Sequence, residues 1–351
     1  MKGSEKITII DVARLAGVSK GTVDRVVHGR GDVSRKSEEK VRKAIRELGY
    51  HPNLYASMLA TRRERSIALL MPRSSSGDYW EKVLSGISEV EDEMATFGIG
   101  IRTFLYDQFD SVSFMDACQA VLDSKPSGVV FPPLFRNDAL NFAIRLKQAG
   151  IPYVFVDTKI EDDSYFAYFG MPKYKSGYLC AYLLTEHCGR EDVGSVAVVR
   201  IMRDKKGQSD PTALRREGFV DYISGNFPEC RILNVFINPE NTSENISILE
   251  DFFREHPDVR HLVMLNSRIY LLRDYLVSHP DPCRRVIGFD SLEKNVALLR
   301  DGHVEKLISH HAEEQPSRAV RMLAASILRD YRPETKDNYM QMNILTRYNC
   351  D

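Results

Sequence analysis

The chain has few of the features that mark secreted, membrane-bound or metal-binding proteins. Its 351 residues include one tryptophan, and no apolar run approaches the roughly 18 residues that a membrane-spanning helix requires. The six cysteines form neither a Cys-x-x-Cys pair nor a His/Cys cluster at metal-ligand spacing. No apolar segment of the signal-peptide type begins the sequence. We therefore expect a cytoplasmic protein with buried free thiols, no cofactor or metal, and no membrane partner.

Charge is divided unevenly along the chain. The formal net charge of -1 combines 48 Lys and Arg residues with 49 Asp and Glu residues. Residues 1–66 contain 15 of the basic and 8 of the acidic residues, a net of +7, so the remaining 285 residues carry -8. Lysine and arginine release counterions when they meet nucleic-acid phosphates. The basic segment therefore suggests a polyanionic partner for the N-terminal part of the chain.

The first 52 residues have the periodicity of short amphipathic helices. Thr8, with an acidic residue three positions later, fits a capping box at the start of a helix that Gly17 would end. Ser19 fits the N-cap of a second helix, whose valines recur at i, i+3 and i+4 spacing, and Ser34 fits the N-cap of a third. Two helices joined by a tight glycine turn are typical of the helix-turn-helix motif. We predict a small all-α, helix-turn-helix DNA-binding domain over residues 1–52.

The polar face of the second helix is the one that would enter the major groove. We expect Arg25 to bridge O6 and N7 of a guanine, and Lys20 to reach a guanine edge or a phosphate. Asp24 can accept a hydrogen bond from cytosine N4 or hold Arg25 in position. The serine and threonine hydroxyls and the ammonium of Lys36 suit contacts with phosphates. Such contacts fix the position of the domain along the DNA without reading the base sequence. The predicted contacts of this domain are Thr8, Ser19, Lys20, Gly21, Thr22, Asp24, Arg25, His28, Ser34 and Lys36.

This region resembles the LacI/GalR (lactose/galactose repressor) family. The resemblance rests on TIIDVARLAGVSKGTVDRVV followed by VSRKSEEKVRKAIRELGYHPN, and it runs without a gap through about 50 residues. It implies that residues 53–66 are a hinge helix and linker that order on DNA. Asn53 and Ala56 match this hinge element, and Leu59 matches a leucine that wedges into the minor groove. Gly21, Asp24 and His28 depart from the commonest family pattern, so the operator sequence cannot be transferred.

Residues 67–351 alternate short apolar runs with amphipathic segments. This alternation predicts parallel sheets of right-handed βαβ units, and two series of strands predict two doubly wound lobes. The layout resembles the periplasmic sugar-binding-protein fold that forms the body of the same family. That resemblance implies that the chain crosses between lobes near residues 165–168, 289–292 and 322–326. The predicted strands are 67–71, 100–106, 128–131, 153–156, 196–199, 232–236, 262–265 and 286–288, with a last strand at 340–346.

Ligands of open α/β sheets bind outside the carboxyl ends of the strands, which here means the cleft between the lobes. The resemblance implies effector contacts from Asp78, Tyr79, Trp80, Arg215, Asn266, Asp290 and His310. Lys173 and Ser267 stand where the family commonly has acidic or amide side chains. Lys173, Arg215 and His310 together predict tolerance of an acidic or phosphorylated sugar.

These expectations combine into one function. We predict a sequence-specific transcriptional regulator, acting as a repressor of carbohydrate-utilisation genes under the allosteric control of a sugar or sugar derivative. Its partners should be double-stranded operator DNA, the small-molecule effector and a second copy of the chain, because one head reads only about half an operator. No heptad helix follows the last strand, so a tetramer-forming tail is not expected.

Two other classes compete with this interpretation. An enzyme on an α/β fold would be expected to show a nucleophile elbow, a phosphate-binding loop or a dinucleotide-binding glycine motif, and the sequence contains none of these. A solute-binding receptor of a transport system would share the body but has no use for a helix-turn-helix head. Both alternatives are therefore secondary to the regulator.

Overall fold

The computed structural model describes residues 7–27, 33–48, 65–189, 193–201, 210–281 and 284–350. The chain divides between Glu64 and Arg65 into two compact units, which we call the head and the body. The predicted DNA contacts His28, Asn53, Ala56 and Leu59 lie outside the described residues.

Three helices build the head: α1 (Ile9–Ala16), α2 (Lys20–Val27) and α3 (Arg35–Leu48). The start of α1 is fixed as predicted, because the carboxylate of Asp11 accepts hydrogen bonds from the Thr8 backbone N–H at 2.9 Å and from its hydroxyl at 2.6 Å. Gly17 ends α1 with φ of 63°, a left-handed conformation that favours glycine. The helix-turn-helix prediction is confirmed.

The hydrophobic core of the head is small, and all three helices contribute side chains to it. Val12 of α1, Val23 of α2 and Val41 of α3 are fully buried, and Val26 and Val27 pack against them while remaining half-buried. Burying one such side chain contributes about 1.5–3 kcal/mol. With so few buried side chains, each valine supplies a large part of the stability of the head.

Two six-stranded sheets, one in each lobe, form the body. The strands are β1 (Arg65–Pro72), β2 (Ile99–Tyr106), β3 (Gly128–Phe131), β4 (Tyr153–Val156), β5 (Ala167–Gly170), β6 (Ser195–Ile201), β7 (Arg231–Ile237), β8 (Val259–Met264), β9 (Arg285–Phe289), β10 (Lys306–Ser309), β11 (Asp337–Tyr339) and β12 (Asn343–Leu345). The first sheet has the order β11-β5-β4-β3-β1-β2 and is parallel throughout. The second has the order β12-β10-β9-β8-β6-β7, with β12 antiparallel to β10.

Helices cover both faces of each sheet, as the doubly wound prediction requires. The helices are α4 (Tyr79–Ser85), α5 (Ile87–Thr96), α6 (Ser111–Asp123), α7 (Arg136–Gln148), α8 (Lys173–Thr185), α9 (Ala213–Asn226), α10 (Thr242–Glu255), α11 (Arg273–Ser278), α12 (Glu293–Arg300) and α13 (Glu314–Arg329). Along β1, Leu69 and Met71 enter one core and Ala68 and Leu70 the other, because successive side chains of a strand face opposite ways. Burial on both faces explains why inner strands such as β1, β3 and β4 read as nearly continuous apolar runs. None of the described helices has the length and apolar character needed to span a membrane.

The predicted crossovers near 289–292 and 322–326 are wrong. Residues 289–292 begin at the last residue of β9 and lead towards β10, which pairs with β9 in the same sheet. Residues 322–326 lie within α13, whose Leu323 packs in a core of the first sheet. The predicted crossover near 165–168 lies close to the first change of sheet, which follows the end of β5 at Gly170. The other two changes of sheet occur after β10 and between β11 and β12. These positions were implied by the resemblance to the periplasmic sugar-binding-protein fold, and the pattern of apolar runs in this chain did not specify them.

Candidate functional site

The exposed side of α2 is the candidate DNA-reading surface. Lys20, Gly21 and Arg25 are exposed on this helix and Asp24 is half-exposed, whereas Val23 faces the core. This is the arrangement that the helical periodicity predicts. The guanidinium of Arg25 carries the paired donors that a guanine edge accepts.

The hydroxyl groups predicted to contact phosphates also act as helix caps. The Ser19 hydroxyl oxygen accepts a hydrogen bond from the Thr22 backbone N–H at 3.1 Å, and that of Ser34 accepts one from the Ser37 backbone N–H at 3.3 Å. Lys36 lies exposed in the first turn of α3. Helix N-termini favour anions because their first N–H groups lack partners within the helix. These residues can therefore bind phosphate oxygens while they also hold the helix ends.

The body contains a cavity of about 120 Å³ at the carboxyl ends of strands from both sheets. Asp157 and Asp290 follow directly after β4 and β9, and Asn266 lies two residues beyond β8. The carboxyl ends of parallel strands lie at the same edge of a sheet, so residues that follow these strands come close together. Six of the seven residues predicted for the effector line the cavity: Asp78, Tyr79, Trp80, Arg215, Asn266 and Asp290.

The two lobes present the same arrangement at this edge. Asp157 and Asp290 both adopt left-handed backbone conformations, with φ of 61° and 66°. The backbone N–H of each donates to a carbonyl of the next strand in its sheet, Phe169 for Asp157 and Ile308 for Asp290, both at 2.9 Å. Such conformations are strained for residues other than glycine and cluster at functional sites.

His310, the seventh predicted residue, lies behind the cavity, with a side chain only 1% exposed. Its Nε2 is 3.4 Å from the hydroxyl of Tyr79 and 2.6 Å from Nε2 of Gln315. The Gln315 amide oxygen accepts a hydrogen bond from the Asp157 backbone N–H at 2.7 Å, which leaves the amide nitrogen to donate to His310. The Nδ1 of His310 therefore carries its proton, facing the Asp290 carboxylate at 3.2 Å.

Asp157 is the most heavily engaged carboxylate of the site. Its Oδ1 accepts hydrogen bonds from the Tyr79 hydroxyl at 2.8 Å and from the Lys173 ammonium at 2.9 Å. Burial opposes ionisation of Asp157, but the positive charge of Lys173 and the two hydrogen bonds outweigh it and lower the pKa of Asp157. Burial and the nearby carboxylate of Asp157 raise the pKa of Tyr79 well above its ordinary value. Tyr79 is therefore a neutral donor at physiological pH.

Arg215 lies in α9 with its guanidinium fixed inside the body. Its Nε donates to the Ser176 hydroxyl at 3.0 Å, and its Nη1 donates to the Leu265 carbonyl oxygen at 2.6 Å. The guanidinium stacks on the ring of Phe289, 4.0 Å from the centroid. Arg215 therefore forms part of the cavity wall with its Nε and Nη1 already hydrogen-bonded within the protein.

Sequence reasoning missed two residues of this network. Asp157 could have been predicted from the sequence, because it directly follows an apolar strand, as Asp290 does. Gln315 could not have been predicted from a local pattern. It lies in a helix far from Asp157 in the sequence, and the fold brings the two residues into contact. Among the described residues, no group of three or more His, Cys, Asp or Glu side chains is placed to hold a metal ion.

Two family models match the chain. The model for bacterial regulatory proteins of the lacI family matches residues 8–53. The model for the periplasmic binding protein domain matches residues 67–328, which is most of the chain.

Individual relatives agree with these matches. The HTH-type transcriptional regulator MalR of Streptococcus pneumoniae is 43% identical over 91 residues, which are 25% of this chain and 28% of that protein. That alignment thus spans little more than a quarter of MalR. The sucrose operon repressor of Pediococcus pentosaceus is 26% identical over 327 residues, which are 91% of this chain and 90% of the repressor. Their names are those of regulators, in agreement with the expectation that this chain is not an enzyme.

A solved structure extends the likeness to three dimensions. The crystal structure of a Bacteroides fragilis protein assigned as a LacI transcriptional regulator has a TM-score of 0.76 and is 31% identical. The match covers 82% of this chain and 98% of that one. Taken with the two family models, this identity over nearly the whole of a solved relative shows that the chain belongs to the lacI family of bacterial regulatory proteins.

Proposed function

We propose that this protein is a cytoplasmic, DNA-binding repressor of carbohydrate-utilisation genes whose operator affinity is set by a sugar or sugar derivative bound in the body. The observation that carries the proposal is the joining, in one chain, of a helix-turn-helix head to a body with a polar cavity at its strand ends. We assign residues 1–52 to DNA reading, 53–66 to the hinge, and 67–351 to effector binding and dimerisation. The names of the sucrose operon repressor and MalR support this class of function.

In the proposed complex, α2 lies in the major groove. Arg25 reads a guanine, and Lys20 contacts a guanine edge or a phosphate. The exposed hydroxyls of Ser19 and Ser34 and the ammonium of Lys36 contact the backbone of the DNA, which fixes the register of the head without reading sequence.

The effector lies in the cavity, where aromatic and polar groups converge. Trp80 and Tyr79 supply flat apolar surface against which a sugar ring can stack. Asp290 is buried, and its Oδ1 has no hydrogen-bond partner among the described residues. The Nδ1 of His310 lies 3.2 Å from this oxygen, outside hydrogen-bond geometry, so the carboxylate can still accept a hydrogen bond from a ligand hydroxyl.

A homodimer completes the proposed regulator, because two heads are needed to read a pseudo-palindromic operator. The outer strands β2 and β7 each end one sheet and carry exposed apolar side chains, Leu105 and Phe236, each 44% exposed. Unpaired sheet edges with apolar side chains are prone to association. Leu105→Glu and Phe236→Glu should shift the protein towards monomer in sedimentation, whereas Ile144→Glu should not. Ile144 is equally exposed but lies on α7, which connects the inner strands β3 and β4.

The experiment that tests the function measures binding to a fluorescent DNA fragment from the region upstream of the gene, with and without individual sugars. A specific complex that one sugar weakens or strengthens supports the proposal. Equal affinity for that fragment and for a scrambled control of the same length rules out sequence-specific regulation.

A further inference from the structure

The charges around the cavity cancel. Three acidic residues, Asp78, Asp157 and Asp290, and three basic residues, Lys173, Arg215 and Arg268, line it. A site lined by charge of one sign concentrates ligands of the opposite sign. A site with equal numbers of both signs has no such preference, and its selectivity depends on which charges are already paired within the protein.

The central pair joins the two lobes. Lys173 begins α8, which packs against the second sheet, and Asp157 follows β4 of the first sheet. Their charged atoms are 2.9 Å apart, and the side chains are only 11% and 10% exposed. A buried charge is tolerated when a partner compensates it. Lys173 is therefore committed to Asp157 and is not a free cation for the ligand.

The other two groups that favoured an acidic ligand are also engaged. Arg215 donates to Ser176 and to a backbone carbonyl and stacks on a phenylalanine ring. His310 is buried behind the wall against Asp290 and Gln315. The guanidinium of Arg268 lies over the ring of Phe109, 5.8 Å from its centroid. These contacts fix the positions of Arg215 and Arg268 without cancelling their charges, because the partners are neutral. Among the three cations that line the cavity, the carboxylate-paired one is Lys173.

We propose that Lys173, by neutralising Asp157, makes the cavity selective for an uncharged polyhydroxylated ligand over its carboxylate or phosphate counterpart. An entering anion would lose its hydration in a cavity whose charges sum to zero, because Asp157 compensates Lys173 and the two remaining acidic residues equal the two arginines in number. Hydroxyl groups, in contrast, can donate to the carboxylates without adding charge. This inference rests on the proposed effector role of the cavity, and it makes Lys173 a specificity-determining residue.

The test uses the fluorescence of Trp80, the only tryptophan of the chain and a residue of the cavity wall. The full-length protein is titrated with D-glucose and D-galactose, with the corresponding uronates, and with the 6-phosphates. The wild type should bind at least one neutral sugar tenfold or more tightly than its anionic counterparts. Asp157→Asn, which leaves the Lys173 charge uncompensated, should reduce this preference at least tenfold. Lys175→Met, an exposed lysine of the same helix, should leave the preference unchanged.

A measurement without ligand tests the pairing itself. Lys173→Met leaves Asp157 buried without its cation, so we expect Tm to fall by several degrees, and the double variant with Asp157→Asn should recover most of the loss. Additive losses in the double variant overturn the inference. A wild type that prefers an anionic sugar, or that responds to no neutral sugar, overturns it as well. Binding of the same proteins to specific DNA separates the two proposals, because it persists if only the charge inference fails and is absent if the proposed function fails.

Discussion

Replacing Gly177 by alanine tests how the cavity wall is held in place. Gly177 lies in α8 where that helix crosses α9, and a Cβ atom there would be 1.7 Å from the Arg215 carbonyl oxygen. Ordinary van der Waals contact begins at 3.4 Å, so the two helices would have to separate by roughly 1.7 Å. Gly218 of α9 makes the reciprocal approach, with its Cβ position 2.1 Å from the Tyr174 carbonyl oxygen.

This separation has a predictable cost. Overpacking of a close contact destabilises by about 1–3 kcal/mol, and each kcal/mol lowers Tm by about 2–4 °C in a large domain. Arg215 would move with its helix, away from the Leu265 carbonyl, so the response of Trp80 to sugar should weaken too. Thermal unfolding and sugar titration followed by Trp80 fluorescence measure both effects.

Gly225 provides the matched control. It lies in the same helix as Gly218, and within the described part of the chain no atom beyond its own helix backbone and chain neighbours lies within 4 Å of its Cβ position. Gly225→Ala should be neutral or stabilising by up to about 1 kcal/mol, because alanine loses less backbone entropy in a helix. Equal Tm values for Gly177→Ala and Gly225→Ala would refute the reasoning that the crossing is set by glycine contact.

Three further predictions concern the head and the buried carboxylate. Val23→Ala should destabilise the head by about 1–3 kcal/mol, since this fully buried side chain is central to a small core, and circular dichroism of the full chain should show a separate early transition. Arg25→Ala should cost about 1–3 kcal/mol and relax preference at one base pair in each half-site, whereas Lys36→Ala should weaken binding to all sequences alike and flatten the salt dependence; identical selection profiles for Arg25→Ala and wild type would exclude base reading. The pKa of Asp157 is lowered in the fold, so its contribution to stability is present above the ordinary pKa of 3.8 and is lost as the pH falls through the folded value; Asp157→Asn should therefore show a shallower loss of Tm below about pH 4, and parallel curves would contradict this.

Local patterns were sufficient to predict the head and most strands. Capping residues and a glycine turn define α1 and α2, and these signals act within a few residues of the chain. Several central strands, such as β1, β3 and β4, are buried along most of their length, so each gives a nearly continuous apolar run in the sequence. No strand was predicted at β5, β10 or β11, and the crossovers implied by the family resemblance were misplaced.

The site was predictable only in part, for a physical reason. Residues that follow strands, such as Asp290 and Asn266, must converge wherever parallel strands end together. The pairing of Lys173 with Asp157, and the contact of Gln315 with both Asp157 and His310, depend on how the lobes are joined. The sequence shows which charged residues are present, but it does not show which of them form ion pairs in the fold. The basic residues in the sequence predicted tolerance of an acidic or phosphorylated sugar, whereas the pairing of Lys173 with Asp157 is the basis for proposing a neutral one.

The most direct test of the central claim combines DNA selection with sugar binding. Full-length protein selects from random DNA, and affinity for the enriched sequence is measured by fluorescence anisotropy with and without the sugar that changes Trp80 fluorescence. The account predicts an enriched pseudo-palindrome with two half-sites, and a change in affinity of about 5–150-fold, matched by an equal change in sugar affinity when DNA is bound. No enriched sequence, or a sugar that binds free and DNA-bound protein equally, would contradict it.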